Sequence, residues 1–112
     1  MTVIIENNVK KTIIAEQRTR YLAHSENLMV VVIDIDDGPL DQPDPPHSHP
    51  HEQISYVADG ELFFFLEDES IKLNAGDIIV IPPNIPHTIQ PLSNHVRLVD
   101  SFSPIRDDFL EK

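Results

Sequence analysis

The sequence predicts an all-β protein, a sandwich or barrel of short strands, on three observations. Its strongest apolar runs are four to eight residues long, which is strand length rather than helix length. Ten prolines against three glycines punctuate the chain, and proline is excluded from helix interiors and central strands, so the prolines mark turns. Only the C-terminal end carries helix signals. Short strands separated by turn signals read as a sandwich or barrel.

The first strong strand is Leu28 to Ile35, closed by Asp36-Asp37-Gly38-Pro39. The acidic, proline-rich stretch Asp34 to Asp44 reads as a loop. Ile54 to Val57 is the next strand, followed by a tight reversal at Ala58-Asp59-Gly60, where glycine is free to take positive φ. Leu62 to Leu66 is a third strand, and Leu66 to Ser70 a polar hairpin tip. Asn74-Ala75-Gly76-Asp77 turns the chain into Ile78 to Ile81. Pro82-Pro83-Asn84 turns it again, with Asn84 suited to the left-handed region. Val96 to Val99 is the last strand. Ser103 as a cap, Pro104 at the first helical position and Asp107 and Asp108 near the positive end of the dipole predict a short helical turn from Pro104 to about Leu110.

A chain of 112 residues is expected to form a single domain, 1–112. It has no cysteine, which excludes disulfides, thiolate metal sites and cysteine nucleophiles. Eight basic against nineteen acidic residues give a net charge of -11. Nucleic acid and anionic membrane surfaces both need a basic face, so neither is an expected partner. An anionic small molecule would need a local basic residue. The start, MTVIIENNVKK, lacks the pattern of a signal peptide, and no apolar run approaches the ~20 residues of a membrane span. The expectation is a cytoplasmic protein. Phe63, Phe64 and Phe65 alternate faces on their strand, so at least one points outward or into a subunit interface.

The most informative stretch is Pro45-Pro46-His47-Ser48-His49-Pro50-His51-Glu52-Gln53. Two residues apart on an extended chain, His47 and His49 face the same side, a natural start to a divalent-metal site. Gln53 has the same parity, and His87, after the Pro82-Pro83-Asn84 turn, supplies a further candidate ligand. His51 shares the parity, but Pro50 bends the chain beside it. His24 and His95 sit in polar turns and read as surface residues.

These residues resemble the motifs of the cupin superfamily. The first motif there is Gly, five residues, His-x-His, three or four residues, Glu, six residues, Gly. Here it reads His47-x-His49, three residues, Gln53, six residues, Gly60, with Asp41 in place of the leading glycine. The second is Gly, five residues, Pro-x-Gly, two residues, His, three residues, Asn. Here it reads Gly76, five residues, Pro82-x-Asn84, two residues, His87, and then Pro91. The resemblance implies a double-stranded β-helix, or jelly roll, holding one divalent transition metal ion (nickel, zinc, iron or manganese). Small cupins commonly dimerise, so a homodimer is expected. Gln53 in the glutamate slot leaves an all-neutral donor set and the full charge on the ion. That makes a stronger Lewis acid and departs from the carboxylate-bearing facial triad of many iron oxygenases.

Three further segments narrow the resemblance: Leu22-Ala23-His24-Ser25-Glu26-Asn27-Leu28-Met29, the His47 to Gln53 string, and Asp100-Ser101-Phe102-Ser103-Pro104-Ile105-Arg106. Together they are similar to the KdgF family of pectin degradation proteins. That similarity implies a metal-dependent, isomerase-like conversion of 4,5-unsaturated monouronates, left by lyase cleavage of pectin or alginate, into linear ketonised sugar acids. It implies metal ligands at His47, His49, Gln53 and His87, and functional roles at Asp100, Phe102 and Arg106. Asp100 and Phe102 share parity on the last strand, so both can face the interior, and Arg106 can grip a substrate carboxylate with its planar fork. Alternative readings of the same residues remain open: Asp100 paired with Arg97 or Arg106, Arg106 as a surface charge, Phe102 as core alone. The competing functions are a small-molecule dioxygenase and a non-catalytic sugar-binding module.

Overall fold

Alternation of apolar and polar side chains decides which face of each strand turns inward. Along Val96–Ser103, Val96, Leu98, Asp100 and Phe102 are buried and the residues between them are not. Along Glu52–Asp59 the buried positions are Gln53, Ser55 and Val57. The structure, a computed structural model, describes residues 1–110. Its strands are β1 (Lys10–Ala15), β2 (Arg18–His24), β3 (Met29–Ile35), β4 (Glu52–Asp59), β5 (Glu61–Leu66), β6 (Glu69–Asn74), β7 (Ile78–Ile81), β8 (His87–Pro91) and β9 (Val96–Ser103). They form two antiparallel sheets, of order β1-β2-β3-β9-β4-β7 and β6-β5-β8.

The two sheets face each other across an apolar interior, the jelly-roll arrangement. One core cluster joins Ile35, Val57, Leu62, Phe64, Leu73, Ile81, Val96 and Leu98 from both sheets. A second, of Leu22, Met29, Val31 and Phe102, packs against Ile105, Phe109 and Leu110. The proline-rich segment before β4 runs beside β8 without forming a ladder. Leu40 and Asp44 donate their backbone N–H to Pro91 and Ile89, and Thr88 Oγ1 donates to the Asp44 carbonyl.

Several sequence expectations are corrected here. The tight reversal expected at Ala58-Asp59-Gly60 does not fold β5 back onto β4, because the two belong to different sheets. The turn is the corner at which the chain changes sheet. Gly60 sits there at φ +88°, and a Cβ would lie 2.2 Å from the His95 carbonyl oxygen. At the C-terminus the helical element is one 3-10 turn, Asp107–Leu110. It starts later than expected because Ser103 remains in the sheet, paired with Glu52, and so cannot cap. The strands β1, β2, β6 and β8 were not among the runs picked out by apolar content. Phe64 is buried, whereas Phe63 and Phe65 share the opposite face with ring centroids 6.2 Å apart.

Candidate metal centre

His47 is not on a continuous strand. It forms an isolated bridge with His87, each backbone N–H donating to the other's carbonyl at 3.0 and 2.9 Å. This two-bond pairing sets the imidazoles side by side, with ring centroids 4.4 Å apart. The expected turn at Pro82-Pro83-Asn84 braces the third ring's backbone, with Asn84 at φ 67° donating its N–H to the His49 carbonyl. One ring nitrogen from each of His47, His49 and His87 lies within 4.8 Å of the others. His49 and His87 are buried, and His47 stands exposed at the rim. His51, His24 and His95 are not in the group; His95 pairs instead with Asp34 and Asp59.

The hydrogen bonding around these rings suits a cation. His87 Nδ1 lies 2.8 Å from the Ile85 carbonyl and donates to it, so Nε2 carries the lone pair. That Nε2 is buried with no partner. His49 Nδ1 faces the His51 carbonyl at 3.1 Å, and its Nε2 faces Gln53 Oε1 at 2.9 Å. Both facing atoms are acceptors, while a neutral imidazole has one N–H to give. Gln53 Nε2 donates to Ser55 Oγ at 2.9 Å, which fixes the amide with its oxygen toward His49. Lost hydration, together with the charge of Arg106, lowers the pKa of all three histidines and holds them neutral. Two ligands about 2.1 Å from one ion and at right angles to each other are about 3 Å apart. The His49–Gln53 spacing fits that edge, so the donor set fits a divalent transition metal ion.

A cavity of about 330 Å³ opens beside the histidines, within the usual range for small-molecule sites. Its lining includes His47, Gln53, His87, Asp100, Phe102 and Arg106, so every residue implied by the sequence resemblance except His49 meets there. His49 lies behind them, its ring edge against Phe102 at 5.7 Å. Asp100 is 5% exposed, and its Oδ1 has no partner. Burial pushes its carboxyl up to about 6, against smaller opposing effects of the Ser55 hydroxyl and Arg106. Neither open pairing of Asp100 is formed: Arg97 grips Asp34 with two bonds of 2.7 Å, and Arg106 grips Asp108 at 3.1 and 2.8 Å. Arg106 also lies over the rings of Phe102 and Phe109.

Sequence reasoning missed Arg18 and Arg20, which also line the cavity. They stand two apart on β2 with Leu22 of the second core cluster, and that shared parity is the signal that could have found them. Arg18 is neutralised by Asp37 at 2.9 Å and Asp44 at 2.6 Å.

A jelly roll with clustered histidines at the mouth of its cavity is the architecture of a metal-site cupin, and the cupin domain model matches residues 37–101. The chain belongs to the cupin family and, within it, to the KdgF family. It is 34% identical over 94 residues, 83% of each chain, to the pectin degradation protein KdgF of Dickeya dadantii. The solved structure of KdgF from Halomonas sp. superposes with a TM-score of 0.84 at 32% identity, covering 96% of this chain and 99% of that one. An RmlC-like cupin from Shewanella frigidimarina gives 0.81 at 30% identity, covering 94% and 92%. Among the described residues no helix is long and apolar enough to cross a membrane.

Proposed function

We propose that this protein is a metal-dependent enzyme that opens and ketonises 4,5-unsaturated monouronates, with His47, His49, Gln53 and His87 holding one divalent ion. The observation that carries the reading is a buried carboxyl, Asp100, with an unpartnered oxygen in the same cavity as the histidines. The pectin-degradation relatives supply the substrate class. A bound ion with neutral ligands supplies Lewis acidity toward the substrate oxygens.

The chain's own residues then account for the rest. Ring opening breaks the C1–O5 bond as the C1 hydroxyl proton leaves, giving an aldehyde at C1 and an enol at C5. Ketonisation moves the enol proton from oxygen to C4. Held up at about 6, Asp100 exchanges protons close to neutral pH and delivers one to C4, a role for which general acid catalysis contributes about 10²–10⁴-fold. Phe102, under the Arg106 guanidinium, offers a flat apolar face to the sugar ring and keeps water from the reacting carbons. Arg106 adds positive charge beside the developing enolate.

The test is loss of the conjugated C4–C5 absorbance when protein is mixed with freshly made unsaturated monouronate from pectin or alginate, against spontaneous decay. The expected result is acceleration that chelator, His87→Ala and Asp100→Ala each abolish. Metal-loaded protein that leaves both substrates at the spontaneous rate would sink the proposal and return the site to a dioxygenase or a sugar-binding module.

A further inference from the structure

Three of the chain's four arginines line one cavity in a protein of net charge -11. Their pairings differ. Arg18 is held by two carboxylates and Arg106 by both oxygens of Asp108. Arg20 makes no ion pair among the described residues, and its Nε is buried without a hydrogen-bond partner. Its guanidinium carbon lies 4.2 Å from the centroid of the Phe109 ring, the same distance as that of Arg106. Both guanidinium groups pack on this one ring, which places their carbons within about 8.4 Å of each other, a limit set by the two contacts through one centroid. Burial and the nearby Arg106 disfavour the charge on Arg20 and Asp108 favours it, so a further anion beside it would offset the two unfavourable effects.

We infer that Arg20 is the residue that binds the carboxylate of the substrate, its fork, which makes no ion pair among the described residues, taking the acid group at the wall of the cavity. This rests on the uronate reading and deepens it: it assigns the recognition of the acid group to β2, whereas Arg106 stays engaged with Asp108. A neutral sugar of the same shape gives this half-buried cation no counter-charge, so the site selects for the acid. A bidentate, charge-assisted contact of this kind makes about a tenfold to hundredfold difference in affinity.

The test compares a saturated monouronate with its methyl ester as unreactive probes, titrated by calorimetry into the metal-loaded protein. Wild type is expected to prefer the acid by tenfold or more. Arg20→Gln should reduce that preference at least threefold and leave ester affinity unchanged, which a merely structural role for Arg20 would not do. On the unsaturated substrate it should raise KM with little change in kcat. Should Arg20→Gln fail to fold, Arg20→Met, matched to the apolar surroundings of Phe109 and Ile33, is read by the same threshold. A preference reduced less than threefold, or no preference in wild type, overturns the inference. Wild type that prefers the acid and loses that preference at Arg20, yet never accelerates loss of the conjugated absorbance, leaves Arg20 as an anion site and removes only the proposed reaction. Turnover with the preference intact in Arg20→Gln removes only Arg20.

Discussion

Asp100→Asn should make the metal-free protein more stable above pH 6 while abolishing turnover. The carboxyl is 5% exposed, and burial lifts it from 3.8 to about 6. At about 1.4 kcal/mol per pH unit, that rise corresponds to on the order of 3 kcal/mol. The sign follows from where the proton is held more tightly. A carboxyl whose folded pKa lies above its unfolded value favours the native state when protonated. Native stability therefore falls as pH climbs from about 4 through about 6, and the full deficit stands above that. Asparagine keeps the side-chain shape and has no proton to lose. The stability difference between the two proteins should start near zero at pH 4 and grow to on the order of 3 kcal/mol by pH 7.

The assay is urea unfolding followed by circular dichroism, in chelator, at several pH values between 4 and 8. Titration of the histidines and of the exposed acids occurs in both proteins, so it largely cancels in the difference. A difference that stays flat across this range would refute the reasoning, because it would mean that the folded carboxyl is as well solvated as an unfolded one. A more stable but inactive variant is the expected signature of a group placed for chemistry at a cost in stability.

Other outcomes follow from the same geometry. Gly60→Ala should destabilise by at least about 1–3 kcal/mol, since φ +88° alone carries that strain and the new Cβ would also meet the His95 carbonyl; thermal melts will show it. Gln53→Glu should tighten metal binding, read by competition with a chromogenic chelator, and slow turnover, because an anionic ligand weakens the Lewis acidity of the ion. His95 has its pKa raised by hydrogen bonds to Asp59 and Asp34. Its contribution is therefore complete below about 6.5 and lost as pH rises through the folded pKa; with the ring partly exposed it should stay under about 1 kcal/mol, measured as wild type against His95→Gln.

The legible strands are those with apolar residues on the inside, except β4, whose run Ile54 to Val57 stands out although Ile54 and Tyr56 face outward and Gln53 and Ser55 inward. β3, β5, β7 and the first half of β9 carry Val, Ile, Leu and Phe at inward positions and stood out as runs. β6 and β8 did not, because each commits few apolar residues to the core: Leu73 is buried in β6 while Ile71 is 55% exposed, and β8 is a short stretch bounded by prolines. At Gly60 the sequence signals a tight reversal and not a change of sheet, because local turn chemistry fixes the backbone of a turn but not which sheet the chain enters next. At the site, parity alone put Asp100 and Phe102 inside. The His47–His87 bridge was not readable, since it joins two loop-flanked residues forty positions apart through their backbones.

The failure to see β2 has a different cause, and it bears on function. A strand is recognised by apolar residues at alternate positions, and β2 carries Arg18 and Arg20 at two of those positions, with Leu22 the only large apolar residue in the series. Had the interior there been filled, two inward arginines would leave buried charge without compensation and the strand would not form. The cavity removes that conflict: Arg18 is paired by Asp37 and Asp44, and Arg20 lines open volume. The local rule of strand composition is thus broken where the fold leaves space for a ligand, and by residues whose charge opposes that of the chain as a whole. An anion approaching a protein of net charge -11 is repelled over most of its surface, so the few arginines it can use must be gathered in one place and one of them must be left unpaired. The defect in the strand pattern and the guanidinium without an ion pair among the described residues are therefore one feature seen at two levels.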